Sequence, residues 1–352
     1  MIRELADRLI SRRRLDAEEY RTLLSGWDEA TLAYLRQDAV RTAHKQFGRG
    51  VYVRGLIEVS SCCRNDCLYC GLRCSNTSAE RYRLSDEQIL ECCREGYAAG
   101  FRTFVLQGGE DVAQNDEWIA DVVRSIRAEH PDKAITLSVG ECSTEAYRAF
   151  RMAGADRYLL RHETRNDEHY SQLHPSTMNA ERRRSCLATL KSEGFQTGSG
   201  MMIGSPGQTV EYLIDDLQFL EELQPEMIGI GPFIPAAGTP FAGEQAGSID
   251  TTLLFISLLR LRFPDALIPA TTALATLHPE GRTRAILAGA NVVMPNLSPR
   301  SVRSKYSIYD NKATAGCEAA EEIEKLEKEL NAIGYKIDYS RGDYNKKGTE
   351  NV

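Results

Sequence analysis

The chain has 352 residues, with 43 Lys and Arg against 50 Asp and Glu, 42% hydrophobic and 26% charged residues, 27 Gly and 12 Pro. That balance belongs to a folded globular protein and excludes a disordered, collagen-like or fibrous one, while the net charge of -7 argues against a nucleic-acid binder built on a broad basic face. The length suits two domains of about 150 residues or one α/β barrel of about 250 with additions, and no apolar run approaches the roughly 20 residues of a membrane span.

Met1 to Arg14 is charged throughout and lacks the apolar stretch of a signal peptide, so a soluble cytoplasmic protein is expected. The first fifty residues read as helices. Leu23, Leu24, Trp27, Leu32 and Leu35 recur at helical spacing, and Asp28 is placed to cap a segment running to Phe47. Val51 to Ser60 is a β-branched run and reads as a strand. From there short apolar runs at 52–59, 103–107, 134–139, 157–161, 196–203, 227–231, 267–271 and 291–294 predict strands. Amphipathic stretches near 85–100, 115–129, 143–153, 179–194, 208–223, 249–262 and 279–288 predict the helices between them. Ser85 with Gln88, and Ser143 with Ala146, read as helix starts. Gly100, Gly154, Gly194 and Gly289 stand where helices would stop.

Eight strands alternating with helices predict parallel βαβ units, in the number that closes a (β/α)8 TIM-type barrel. A doubly wound open sheet is the alternative. The expected organisation is an N-terminal helical extension over 1–50, the barrel over 51–310, and a C-terminal helix and tail over 311–352. Within the last part, residues 318–334 read as a highly charged helix with a solvated face, followed by a polar end from Asn345.

Ten cysteines are many for a reducing compartment, and Cys62, Cys63, Cys67, Cys70 and Cys74 fall within thirteen residues. Such a cluster points to metal or catalysis rather than to bridges. In Cys63-Arg-Asn-Asp-Cys67-Leu-Tyr-Cys70, three thiolates at spacings of four and three residues can close on one corner of an iron–sulfur cube. A cube has four irons, so three cysteines leave one iron open to a substrate or cofactor. The motif follows the first strand and therefore sits on the face where barrels of this kind keep their active sites. A structural zinc site would prefer two close pairs or a Cys/His mix, and no histidine lies between His44 and His130. Cys62 adjoins Cys63 and is not expected to share its cluster. Cys74 is a spare, and Cys92, Cys93, Cys142 and Cys186 read as packing residues.

This arrangement resembles the radical S-adenosylmethionine (SAM) superfamily, whose members bind a [4Fe-4S] cluster through a CxxxCxxC motif. Tyr69, the aromatic residue before the last cysteine, fits the pattern. Gly108-Gly109-Glu110 looks like the motif that meets the SAM amino group, and Gly200-Met-Met-Ile-Gly-Ser-Pro-Gly207 like the segment that packs on adenine. Within the biotin-synthase-like group the chain is most similar to the [FeFe]-hydrogenase maturase (HydE) family, over about residues 50 to 310. The carrying strings are Leu106-Gln-Gly-Gly-Glu-Asp111, Ala155-Asp-Arg-Tyr-Leu-Leu-Arg-His-Glu-Thr164, Gly229-Ile-Gly-Pro-Phe-Ile-Pro235, Pro269-Ala-Thr-Thr-Ala273 and Asn291-Val-Val-Met-Pro-Asn296.

The resemblance implies that SAM chelates the open iron and is cleaved by one electron to methionine and a 5′-deoxyadenosyl radical. It implies that Glu163 and Arg183 hold SAM, with Gln107 and Ser138 lining its pocket. Arg182, Arg183 and Arg184 leave the second assignment open by one place, and a surface charge is the plainer reading of Arg183. The inner cavity would hold Thr136, Arg157, Arg161, Thr271, Thr272, Met294, Tyr306 and Tyr309. Arg157 and Arg161 share a strand face, and would either pair with neighbouring acids or receive an anionic, carboxylate-bearing substrate. The family implies a substrate iron complex bearing cysteine, carbon monoxide and cyanide, other hydrogenase maturases as partners and an external electron donor, with no nucleic acid or membrane involved. Only Cys317 stands where some members carry a second cluster, so none is expected. Methylornithine synthase, biotin synthase and a non-catalytic iron–sulfur protein are the competing readings.

Overall fold

The computed structural model describes residues 1–313 and 319–345. Cys317 lies outside the described residues. Gly50–Val53 and Gly55–Ser60 form one strand interrupted at Arg54. Thr103–Gly108, Ala134–Ser138, Arg157–Leu159, Gln196–Ser199 and Met227–Ile228 follow, each laid parallel to the one before. The seventh position is held by single bridges, Met227 to Leu267 and Pro269 to Val292. Pro269 has no N–H to give to a longer ladder. The eighth strand, Val292–Val293, pairs with Tyr52 and Val53 of the first, and Leu56 bridges to Asn296. Eight parallel strands thus close into the (β/α)8 barrel, and the open-sheet alternative falls because the first and last strands meet.

The helices lie between the strands as the apolar spacing predicts. Ser85 and Gln88 form a reciprocal capping box, Ser143 accepts the Ala146 amide, and Gly154 ends its helix in the left-handed conformation. Ile249–Arg262 is apolar around its whole circumference because it is covered on both sides. Thr252 through Leu261 are buried, with the barrel beneath and helix Glu29–Phe47 above. The N-terminal helices therefore pack on the barrel's flank. Ala319–Ala332 is not wholly solvated either: Ile323, Leu326 and Leu330 are buried, so the charged helix of the sequence has one apolar face against the core.

The base of the barrel is closed by a later segment. Strand Lys336–Asp338 pairs with Gly50–Tyr52, and residues 341–345 cross beneath the lumen. Arg157 Nη2 donates to the Arg341 carbonyl at 2.9 Å and to Asp343 Oδ1 at 2.6 Å. Thr103 Oγ1 donates to the same carbonyl at 2.8 Å, and Tyr344 N to Gln196 Oε1 at 3.1 Å. This corrects the expected position of Arg157. It faces the lumen as Arg161 does, but from the N-terminal end of a three-residue strand, four residues or about 13 Å below. It is fully buried and ion-paired in the floor. Among the described residues no helix is long and apolar enough to cross a membrane.

Candidate active site

The cysteine loop leaves the first strand at its C-terminal end and is tied down by its own polar groups. The Arg81 guanidinium donates to the carbonyls of Ser61, Leu72, Arg73 and Asn76 at 2.6, 2.9, 2.7 and 3.1 Å. Arg73 grips Asp66 with two bonds of 2.7 and 2.5 Å. Leu68 N donates to Leu173 O and Gly71 N to Ile308 O, both at 2.9 Å. Cys63, Cys67 and Cys70 are half-buried free thiols. Cys62 turns instead toward the Tyr82 carbonyl, 3.9 Å away, and Cys74 is exposed. Burial pushes the Cys70 thiol up to about 12 and raises Cys63 and Cys67 as well. Thiolates here need a cationic partner, which iron supplies. Among the described residues no three of His, Cys, Asp and Glu converge on a point for a single metal ion. A cube makes a different demand, since each thiolate takes its own iron.

The end of the second strand presses against this loop through a bare backbone. A Cβ on Gly109 would lie 2.4 Å from Cys62 O and 2.6 Å from Cys63 Cβ. The Glu110 carboxylate is taken up within the protein. It accepts Glu141 N at 2.9 Å and pairs with Arg64 at 3.0 Å, while its carbonyl accepts Arg64 N at 2.9 Å. What remains for a ligand is the main chain of Gly108 and Gly109. Gln107 and Ser138 are paired in register beside them.

Beyond the fourth strand, Glu163 sits at φ 65°, a strained place for a residue with a Cβ. Its neighbours hold it there. Glu163 N donates to Gly200 O at 3.1 Å, and Met202 N to Glu163 O at 3.2 Å. Gly200 is required at this seam because a Cβ would fall 1.9 Å from Gly229 O. The buried His162 behind it bonds Ser199 Oγ at 2.9 Å and Asp216 Oδ1 at 3.2 Å. Arg161 and Glu163 stand 2.8 Å apart as an ion pair, yet Arg161 Nε and Nη2 and Glu163 Oε2 have no partner in hydrogen-bond geometry. Helical phase buries Arg183 and exposes Arg182. Arg183 Nε lies 2.6 Å from Glu141 Oε1, and its Nη1 donates to Arg161 O at 3.2 Å. Tyr69 joins an apolar wall of Leu173, Met202 and Phe233.

The other residues expected around the lumen come from strand ends and from the segments that follow them. Thr136 Oγ1 and Thr271 Oγ1 are buried without partners. Thr271 is the N-cap residue of helix Thr272–Leu277 but makes no side-chain cap, so its hydroxyl stays available to the lumen. Met294 packs on Met227, Leu267 and Val292, and Thr272 shares a cavity wall with it. Tyr306 OH accepts Gln107 Nε2 at 3.3 Å, and burial pushes Tyr309 up to about 12. Sequence reasoning missed two charged residues here. Glu58, fully buried on the first strand, pairs with Lys312 from the segment that crosses the lumen after the eighth strand. The signal for Glu58 was the alternation itself, which puts 56, 58 and 60 on one face.

Residues 57–220 match the family model of the radical SAM superfamily. The chain is 44% identical over 310 residues to the [FeFe] hydrogenase maturase subunit HydE of Thermotoga maritima, covering 88% of each. The chain belongs to the radical SAM superfamily. It is also 30% identical to 3-methylornithine synthase of Methanosarcina barkeri, over 94% of this chain and 93% of that one. The crystal structure of methylornithine synthase superposes with a TM-score of 0.82 at 28% identity, covering 95% of this chain and 97% of that one. That of the hydrogenase maturase HydG, at 19% identity and a TM-score of 0.79, shares the fold. This radical SAM enzyme therefore works with a [4Fe-4S] cluster and S-adenosylmethionine. Its own residues fit them: three free thiols in one tied-down loop, an open glycine backbone beside them, and the charged Arg161–Glu163 pair across the site.

Proposed function

We propose that this radical SAM enzyme is a HydE-type hydrogenase maturase, acting on a small anionic, carboxylate-bearing iron complex with cysteine, carbon monoxide and cyanide on the path to the diiron subcluster. Other maturases would deliver the substrate and receive the product, and an external donor would supply the electron. The observation that carries the reading is the pair of buried, unpartnered hydroxyls on Thr136 and Thr271, in the lumen that also holds the Arg161–Glu163 ion pair. Unsatisfied donors in a closed chamber call for a polar ligand. The 44% identity to HydE supports the same reading.

In this reading Cys63, Cys67 and Cys70 hold the cluster. When bound, cluster and SAM supply a one-electron cleavage that yields a 5′-deoxyadenosyl radical. The main chain of Gly108 and Gly109 takes the SAM amine. Arg183 faces its carboxylate, Glu163 its ribose, and the Leu173–Met202–Phe233 wall its adenine, with Tyr69, Gln107 and Ser138 completing the pocket. Arg161 would hold the substrate's carboxylate through its fork. Thr136, Thr271 and Thr272 would donate hydroxyls, while Met294, Tyr306 and Tyr309 keep water and stray hydrogen donors away.

The test has two parts. Reconstituted and reduced anaerobically, the protein is expected to form 5′-deoxyadenosine, and Cys67→Ala to form none. Added to a hydrogenase maturation mixture lacking HydE, it is expected to restore hydrogenase activity. Deoxyadenosine without restoration would reject the maturase reading.

A further inference from the structure

Glu58 is a lumen acid on the first strand, 0% exposed at an inward position. One carboxylate oxygen accepts Asn296 Nδ2 at 2.9 Å, and the other takes the Lys312 ammonium. Lys312 is itself only 8% exposed on its side chain. It donates further to Tyr306 O at 3.1 Å, and its ammonium lies 4.7 Å over the Tyr306 ring. A cavity of about 280 Å³ adjoins the pair: Thr272, Met294 and Asn296 are in its wall with Glu58 and Lys312, and Arg282 and Lys325, themselves facing Glu322 and Glu329, wall its outer side. Thr272 and Met294 belong also to the lumen set, so the pair stands at the edge of the chamber in which substrate is read.

A buried carboxylate facing a ligand chamber demands a cation. A free amine in the substrate would satisfy it. Here the cation is tethered, present at a high effective concentration, and clasped by a carbonyl and an aromatic face as well. We propose that Lys312 is a specificity determinant. Its ammonium fills the position on Glu58 that a substrate amine would take, closes the chamber to ligands whose amine would lie there, and leaves recognition to the Arg161 side. The inference rests on the lumen being the substrate chamber, as read above.

The crossing segment does not depend on the pair for its place. Gly71 N bonds Ile308 O at 2.9 Å, Asp310 N bonds Pro235 O at 3.1 Å, and Ala313 N bonds Thr276 Oγ1 at 2.9 Å. A truncated Lys312 therefore leaves a lined pocket with an unanswered carboxylate, and a small amine can be offered to it.

The experiment measures the melting temperature of the reconstituted enzyme with n-propylammonium or, as the neutral isostere, 1-propanol. Lys312→Ala is expected to melt lower than the wild type and to recover at least half the loss in millimolar propylammonium but not in propanol. The double variant Glu58→Gln/Lys312→Ala is expected to melt above the single one and to ignore both additives. Equal rescue by amine and alcohol, no rescue by either, or rescue of the double variant as well would overturn the proposal. If Lys312→Ala does not fold, the double variant decides: a folded, amine-indifferent protein supports the pairing, and an unfolded one overturns it. Melting reads binding without turnover, so a failed maturation assay would reject the function proposed above and leave this result legible.

Discussion

Tyr69 donates its hydroxyl to Nε2 of His174 across 3.2 Å, and the two rings meet edge to face at 5.4 Å. The other nitrogen, Nδ1, gives its proton to Tyr170 O at 3.0 Å, which fixes the tautomer of a ring that burial keeps neutral. The cysteine loop is thus steadied, one residue before Cys70, by a histidine that has to stay uncharged.

Burial, with the Arg183 guanidinium beside it, lowers His174 from 6.5 to about 3. In an unfolded chain the ring protonates below 6.5 while the folded chain still refuses the proton. The unfolded state binds more protons in that window, so stability falls as pH drops from 6.5 toward 3. The wild type is expected to lose about 1.4 kcal/mol per pH unit from this group, and His174→Gln to show a shallower slope. Denaturant midpoints at pH 7.5 and 5.5 decide it; parallel slopes would refute the assignment.

Gly109→Ala is expected to empty the cluster site without unfolding the barrel. Its new Cβ has backbone and Cys63 Cβ in its way, neither of which is a flexible tip. Iron per chain after reconstitution should fall by more than half at unchanged circular dichroism. Gly243→Ala, where a Cβ would meet nothing within 4 Å, is the control and should load normally.

Removing Arg157 or Asp343 should damage stability and spare SAM. A half-broken buried pair costs about 3–5 kcal/mol, and Asp343 is only partly buried, so its own variant should sit at the lower end. Arg157→Met with Asp343→Asn together should cost less than the sum. Arg161→Met is expected to change substrate use, with a smaller loss of stability than Arg157→Met because Arg161 is 30% exposed in its pair with Glu163. Denaturant titration and SAM binding by the reconstituted protein measure both; weakened SAM binding in Arg157→Met would return that residue to the ligand site.

Among the five clustered cysteines, Ala in place of Cys63, Cys67 or Cys70 should abolish both iron loading and 5′-deoxyadenosine formation. Cys62→Ala and Cys74→Ala should retain them, since one thiol points at Tyr82 O and the other at solvent. Loss of the cluster in Cys74→Ala would make that residue a ligand.

The barrel was legible because eight short apolar runs alternate with helical stretches, several of them capped, and the family resemblance decided between a closed barrel and an open sheet. Spacing named the face on which Arg157 and Arg161 lie but not their height, because the strand between them is only three residues long. Strand Lys336–Asp338 was illegible, with one apolar residue and no pattern to repeat. Glu58 was passed over within a β-branched run, because its answering cation stands 254 residues away. Helix Ala319–Ala332 read as highly charged with a solvated face, and its apolar face escaped notice because three buried aliphatics are few among so many charges.

The floor of the barrel has a consequence for how the protein comes into being. A chain made from its amino end possesses the cysteine loop when fewer than a quarter of its residues have been joined, but Asp343 reaches Arg157 across 186 residues of sequence. During synthesis the nascent vessel is open underneath, and the cysteine loop exists before there is anything to keep water from rising to it; the keel that shuts the vessel is laid last.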